Sequence, residues 1–308
     1  MALNFFIFLA LRMEEIDQAI INFNKSGVTL INITLTFIMF GVALDLTIEN
    51  FKSLLSEPKK ILTGMFSQLI LLPLLTFLLI IIFKPIPSVA LGMILVASCP
   101  GGNISNFISS IAKGNVELSI MLTIVSSSIA ILFTPFNLSF YGNMYEPTQQ
   151  IMREVNLNWL EVTWTIASII IIPVFCGMVF KNKFPALAAK LSKPMRIISM
   201  ALFLLIVAGA LASNYHHFME LVGVVFFLVF LHNALALSSG YLCGKVMGFP
   251  DRDRRSLAIE TGIQNSGLGL LLIFSYFDGL GGMAIVTAWW GVWHIVSGFT
   301  IAYLWNKR

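Results

Sequence analysis

Apolar residues run for about twenty positions at a time along this chain, and the polar residues between the runs come in short clusters. Nine runs, at 28–46, 61–83, 89–112, 116–138, 159–180, 195–213, 220–246, 255–277 and 282–305, are long enough to cross a bilayer as helices, which takes about 20 residues. The pattern predicts an all-α polytopic membrane protein with nine transmembrane helices. Ahead of them, residues 1–11 are apolar but too short to span, and they lack the basic start and small-residue cleavage site of a signal peptide. Residues 13–24 set Glu14, Glu15 and Asp17 against Ile16, Ile20, Ile21 and Phe23, so 1–27 reads as an N-terminal segment lying in the interface. The connections are short. Only 139–158 and 181–194 are long enough to notice, and neither can form a domain.

Two of the nine runs are interrupted. The eighth carries Glu260, Gly262, Gln264, Asn265, Ser266, Gly267 and Gly269 where hydrocarbon belongs. A charge at mid-membrane costs about 2.5–3.5 kcal/mol on the insertion scale, so Glu260 calls for a cation, a proton or a polar partner. The glycines weaken the helix and let carbonyls and amides open towards a ligand. The third run is broken by Pro100-Gly101-Gly102, with Asn103, Ser105 and Asn106 beyond the break. The third and eighth runs are five crossings apart and so run in opposite directions. Broken helices at matching places in two oppositely oriented halves point to an inverted-repeat transporter with its site at the midplane, where half-helix N-termini face an anion. The plainer alternatives are a polar helix packed against its neighbours and a proline-kinked helix, each ordinary when taken alone.

Composition and charge narrow the classes. With 57% hydrophobic and 11% charged residues, 308 residues are too apolar for a soluble domain. The net charge of +4 is spread singly through short loops, which speaks for topology and against nucleic acid. With the N-terminus outside, 15 of the 19 Lys and Arg fall on the inner side, leaving Arg12, Lys25, Lys84 and Arg153 outside. Arg252, Arg254 and Arg255 read as anchors on the inner side, and Asp45, Glu117, Glu161 and Asp278 fall at span ends within reach of water. Cys99, Cys176 and Cys243 lie in apolar segments without C-x-x-C spacing, which argues against a metal or disulfide role. Trp289, Trp290, Trp293 and Trp305 read as interface and packing residues. Four scattered His residues, and the lack of H-E-x-x-H or G-x-S-x-G, argue against an enzyme.

P-G-G-N-I-S-N at 100–106, K-G-N-V-E-L-S-I-M-L-T at 113–123 and E-T-G-I-Q-N-S-G at 260–267 resemble the bile acid:sodium symporter family. Q-L-I-L-L-P at 68–73, L-H-N at 231–233 and W-H-I-V-S-G at 293–298 fall in the same order and spacing, so the resemblance runs from about Gly41 to the C-terminus. It implies a panel domain and a core domain, the core holding two crossing discontinuous helices. By that correspondence 28–138 is a first repeat of four spans and 159–305 a second of five. The core takes 89–138 and 220–277 with 61–83 and 282–305, and the panel takes 28–46 with 159–213.

The resemblance also implies two sodium sites. One is built from Ser105, Asn106, Ser119, Thr123 and Glu260; the other from Gln68, Glu260, Gln264 and the carbonyls of Thr261 and Ile263. Independently, Ser119 and Thr123 are four apart and share one helix face. Every donor is an oxygen, as a hard monovalent cation prefers. For an organic anion the resemblance offers Asn103, Asn265 and His294; His232 and His294 could equally make interhelical hydrogen bonds. The expected function is sodium-coupled symport of an organic anion, a bile acid or similar steroidal or sulfonated anion or a small carboxylate such as pantoate, with two sodium ions per substrate. No organic cofactor is expected. The expected partners are sodium, the anion and the bilayer, with the monomer as the working unit. The expected location is a bacterial inner membrane with the C-terminus inside. A proton-coupled carrier using Glu260, or a passive organic-anion channel, are the alternatives.

Overall fold

The computed structural model describes Asp17 and residues 25–44, 57–102, 104–155, 158–213 and 215–307. The expected interfacial helix at 13–24 lies outside the described residues apart from Asp17, whose Oδ1 accepts the Ser88 N–H at 2.7 Å. The described residues form twelve helices: α1 Lys25–Ala43, α2 Pro58–Phe83, α3 Pro87–Ser98, α4 Ile104–Ile111, α5 Val116–Met144, α6 Glu146–Val155, α7 Trp159–Lys183, α8 Pro185–Ser213, α9 Tyr215–Val246, α10 Asp251–Gly262, α11 Ser266–Tyr276 and α12 Gly281–Asn306. No strand occurs among the described residues. Among the described residues, five helices are long and apolar enough to cross a membrane: α2, α5, most of α7, residues Val225–Val246 of α9, and α12. The chain is an integral membrane protein whose backbone satisfies itself helix by helix.

Both expected interruptions are real breaks. α3 ends at Ser98 and α4 begins at Ile104, while α10 ends at Gly262 and α11 begins at Ser266. Two segments expected as loops are instead mostly helical. Within 139–158, α5 continues to Met144 and α6 follows, because Thr148 Oγ1 donates to the Tyr145 carbonyl and Met152 packs on Gly142. In 181–194 the chain turns only at Phe184, and Pro185 opens α8 with the φ that suits a first helical position. α6, a short amphipathic helix, reads as a polar connection because its apolar stripe is too brief to register as a run.

Helix contact in lipid gains little from apolar burial and depends on close packing. α1 lies against α7 and α8, while α3 packs on α12 and α5, and α9 packs on α10. The α9–α10 contact uses Gly240 and Gly244, one turn apart: a Cβ on Gly244 would sit 2.9 Å from Leu257 Cδ1.

α2 carries a π turn at Ser67–Leu71, two residues before Pro73. Proline has no N–H to offer the Leu69 carbonyl four residues back, and Asn137 Nδ2 supplies the missing bond at 2.9 Å from α5. Replacing Asn137 with alanine orphans that carbonyl. The expected cost is about 1–3 kcal/mol, read as a lower thermal midpoint of the purified protein, with Asn137→Gln recovering part of it.

Candidate functional site

The two breaks cross and pair through their main chains. Gly102 N donates to Ile263 O at 2.7 Å and Asn265 N to Pro100 O at 2.8 Å, with Gly101 opposite Gln264 in an isolated antiparallel bridge. This pairing satisfies unwound amides and carbonyls that neither helix can serve. Asn265 caps α11, its Oδ1 accepting the Leu268 N–H at 3.1 Å.

Glu260, 2% exposed, points from the last turn of α10 into this crossing. Ser105 Oγ donates to its Oε2 at 2.6 Å and Ser119 Oγ to the same oxygen at 3.1 Å, while Thr123 Oγ1 donates to Oε1 at 2.7 Å. Asn106 Oδ1 is 3.3 Å from Thr123 Oγ1. These side chains, from α4, α5 and α10, are the first expected sodium set, and the fold brings all five together. Among the described residues no Lys or Arg pairs with Glu260. Three hydroxyl hydrogens compensate part of the cost of burying the carboxylate. The same hydroxyls can rotate and present lone pairs to a cation instead.

The second expected set is also assembled, around the π turn of α2. Gln68 Nε2 lies 3.3 Å from both the Glu260 carbonyl and Gln264 Oε1, and Gln264 Nε2 donates to Thr261 O at 2.8 Å. The Ile263 carbonyl already accepts the Gly102 amide, so it has one lone pair left for an ion. Of the expected anion ligands, Asn103 lies outside the described residues. His294 is buried on α12 and Asn265 serves as a cap. Neither lines the cleft of about 160 Å³ that opens between α1, α5 and α7 and meets the crossing at Asn106 and Thr123. Met39, Ile124, Ile171, Val174 and Phe175 form most of its apolar wall, with Ser127 and Ser128 as further polar groups.

Sequence reasoning gave no role to Asn233. Its Nδ2 donates to the Gly262 carbonyl at 2.7 Å and its Oδ1 accepts from Ser297 at 2.6 Å, tying the second break to α12. The L-H-N segment marked the residue, but only the fold shows which carbonyl it holds. Ser67, bonded to Thr261 Oγ1 at 3.0 Å, and Ser126, which accepts the Gly101 amide at 3.3 Å, are further supports. His232 makes the interhelical bond expected of a membrane histidine, with Thr76 at 2.6 Å. Thr76 Oγ1 also lies 2.7 Å from the Leu72 carbonyl of its own helix.

Two broken helices crossing inside a membrane protein around a buried carboxylate and a ring of neutral oxygens define a membrane carrier of the ion-coupled kind. The chain belongs to the sodium bile acid symporter family, a family of sodium-dependent transporters, and residues 32–221 match that family. It is similar to the uncharacterized sodium-dependent transporter YocS of Bacillus subtilis, with 31% identity over 90% of this chain and 83% of that protein. The probable chloroplastic sodium/metabolite cotransporter BASS1 of Arabidopsis thaliana is 28% identical over 91% of this chain and 67% of its own length. The human ileal sodium/bile acid cotransporter is 25% identical over 78% and 67% respectively.

Proposed function

We propose that the chain is a secondary symporter in which two sodium ions bind at the crossing and an organic anion binds in the adjoining cleft. The observation that carries this reading is Glu260, a buried carboxylate with both oxygens facing three hydroxyls of two other helices, α4 and α5, and no basic partner among the described residues. Ser105, Asn106, Ser119, Thr123 and Glu260 hold one ion; Gln68, Gln264, Glu260 and the Thr261 and Ile263 carbonyls hold the other. Binding neutralises Glu260, orders the crossing and favours the state that takes the anion, and domain rocking then exposes the site to the other side. The nine spans divide into a panel of α1, α7 and α8 and a core of the remaining spans, with the C-terminus inside. The contacts of α1 with α7 and α8 support that division.

The cleft favours the small end of the expected anions. Its volume of about 160 Å³ falls below the roughly 300–1,000 Å³ of pockets that enclose drug-sized ligands. A small carboxylate fits it with the acid towards Asn106 and Thr123 and the carbon skeleton against α1 and α7. Two sodium ions with one monoanion move one net charge. A tenfold sodium gradient and 100 mV then supply about 5 kcal/mol in total.

The test is a titration of the purified protein with sodium against potassium, followed by intrinsic fluorescence and thermal midpoint, and uptake of labelled pantoate or taurocholate into proteoliposomes. The expected result is a saturable, sodium-specific response and electrogenic, sodium-dependent uptake, with pantoate outcompeting taurocholate. Ser119→Ala and Thr123→Ala should each raise the sodium half-saturation about tenfold, since each removes one oxygen of a shared site. Uptake driven by a proton gradient in the absence of sodium would instead establish the proton-coupled alternative, and flux without accumulation the channel.

A further inference from the structure

Of the four helices whose side chains hold the crossing, three, α2, α5 and α10, are joined a second time two turns away. On α10, Asp253 precedes Glu260 by seven residues; Asn115, the N-cap of α5, precedes Thr123 by eight; on α2, Lys60 precedes Gln68 by eight. At 1.5 Å per residue these offsets place each lower residue about 10–12 Å below its partner and on the same helix face. The lower residues meet one another. Asn115 Nδ2 donates to Asp253 Oδ1 at 2.8 Å, and Lys60 Nζ lies 2.7 Å from Asp253 Oδ2. Asp253 is only 3% exposed.

Two further bonds fix the register of α10 against α5. Asn115 N donates to the Arg252 carbonyl at 3.1 Å, and Ser256 Oγ donates to the Asn115 carbonyl at 2.8 Å. Between the two polar layers lies an apolar one, drawn mostly from the same three helices: Ile61 and Met65, Leu118, Met121 and Leu122, and Leu257, with Phe249 beside them. Gly64 sits in its middle, where a Cβ would come within 3.1 Å of Leu257 Cδ2 and would overlap Leu122. A close-packed layer clamped by polar contacts at both ends transmits a shift at one end to the other, because it cannot absorb the shift by compressing.

We propose that Asp253, Asn115 and Lys60 are positioning residues that set the sodium affinity of the crossing by fixing how α2, α5 and α10 stand relative to one another. None of the three touches the ion. The inference rests on the sodium-coupled reading above and adds to it a second, remote set of residues that governs the same site. Breaking the lower layer lets α10 slide or tilt against α5, which separates Glu260 from Ser119 and Thr123 and weakens the ion without removing any of its oxygens.

The experiment compares sodium half-saturation, measured by fluorescence on purified protein, with the maximal rate of uptake in proteoliposomes. Asn115→Ser keeps an oxygen to cap Leu118, which Asn115 now caps at 3.1 Å, and removes only the amide that holds Asp253. Lys60→Met removes the cation, and Lys60→Arg restores it. Ile166→Ala, in α7 and away from both layers, provides a destabilised control. Asn115→Ser and Lys60→Met are expected to raise the sodium half-saturation at least fivefold while the maximal rate at saturating sodium stays within twofold. Lys60→Arg should stay within twofold of wild type on both measures, and Ile166→Ala should lower the thermal midpoint without moving sodium half-saturation. The proposal is overturned if Asn115→Ser, which removes one hydrogen bond and is the variant least prone to misfold, binds sodium as wild type does. It is equally overturned if Ile166→Ala shifts the half-saturation as far as the two layer variants do. A wild type with no sodium response would overturn the coupled reading itself, and the proposal with it, which separates the two failures.

Discussion

Glu260→Gln is expected to abolish the sodium response of the purified protein and all sodium-driven uptake while leaving a folded, monodisperse protein. The substitution keeps the volume of the side chain and one oxygen, so the packing around the crossing survives. It removes the charge, and it places an NH2 group where Ser105, Ser119 or Thr123 now donates, so that donor faces donor. A full charge about 4 Å away in surroundings of effective dielectric near 20 is worth about 4 kcal/mol, which is about a thousandfold in affinity. In potassium the variant should be at least as stable as wild type, because it no longer buries a charge without a cation. Thermal midpoints in sodium and in potassium give both quantities from one preparation. A sodium-dependent rise within tenfold of the wild-type half-saturation would remove Glu260 from the ion site and with it the proposed coupling.

The order of difficulty in reading this chain follows from the range of each interaction. Membrane spans were legible because lipid forces each apolar run to satisfy its backbone locally, and no distant residue is needed to predict α2 or α12. The breaks were legible for the same reason: Pro100 removes a donor and the glycines of 262–269 loosen a helix wherever they stand. The helices within 139–158 and 181–194 were hidden because they rest on single contacts such as Thr148 to Tyr145 and on a proline that reads equally as a loop. In the site, spacing alone put Ser119 and Thr123 on one face, and the resemblance supplied Ser105, Asn106, Gln68 and Gln264. That they meet at Glu260 is a property of the crossing. Asn137 carried no sign in the sequence, and L-H-N marked Asn233 without showing what it would hold. Each serves an orphaned carbonyl, Leu69 68 residues away and Gly262 29 residues away, and an asparagine gives no sign of which carbonyl it will hold.

Gly101→Ala is expected to damage sodium binding severely through a single added methyl group. The structure shows a demand for space here and none for an unusual backbone, since Gly101 is not among the glycines of positive φ. A Cβ at this position would lie 3.0 Å from Glu260 Cδ and 3.2 Å from Gln68 Nε2, and would overlap Glu260 Oε1. Neither neighbour is a free end that can swing aside. Glu260 is held by three hydroxyls, and Gln68 by the Glu260 carbonyl and Gln264. The backbone cannot easily retreat either, because Gly102 N to Ile263 O and Asn265 N to Pro100 O pin the two breaks on each side of the bridge. The methyl group must therefore displace the carboxylate from its hydroxyls or part the crossing. Overpacking of this kind costs about 1–3 kcal/mol in stability, and the displaced carboxylate should raise sodium half-saturation more than thirtyfold. Gly209→Ala in α8 is the matched comparison, since a Cβ there meets nothing within 4 Å. It should leave sodium binding unchanged and gain a few tenths of a kcal/mol up to about 1 from helix propensity. Sodium titration of both variants decides the matter: a Gly101→Ala protein that binds sodium within threefold of wild type would mean that the crossing is free to open, and that its main-chain pairing does not hold Glu260 in place.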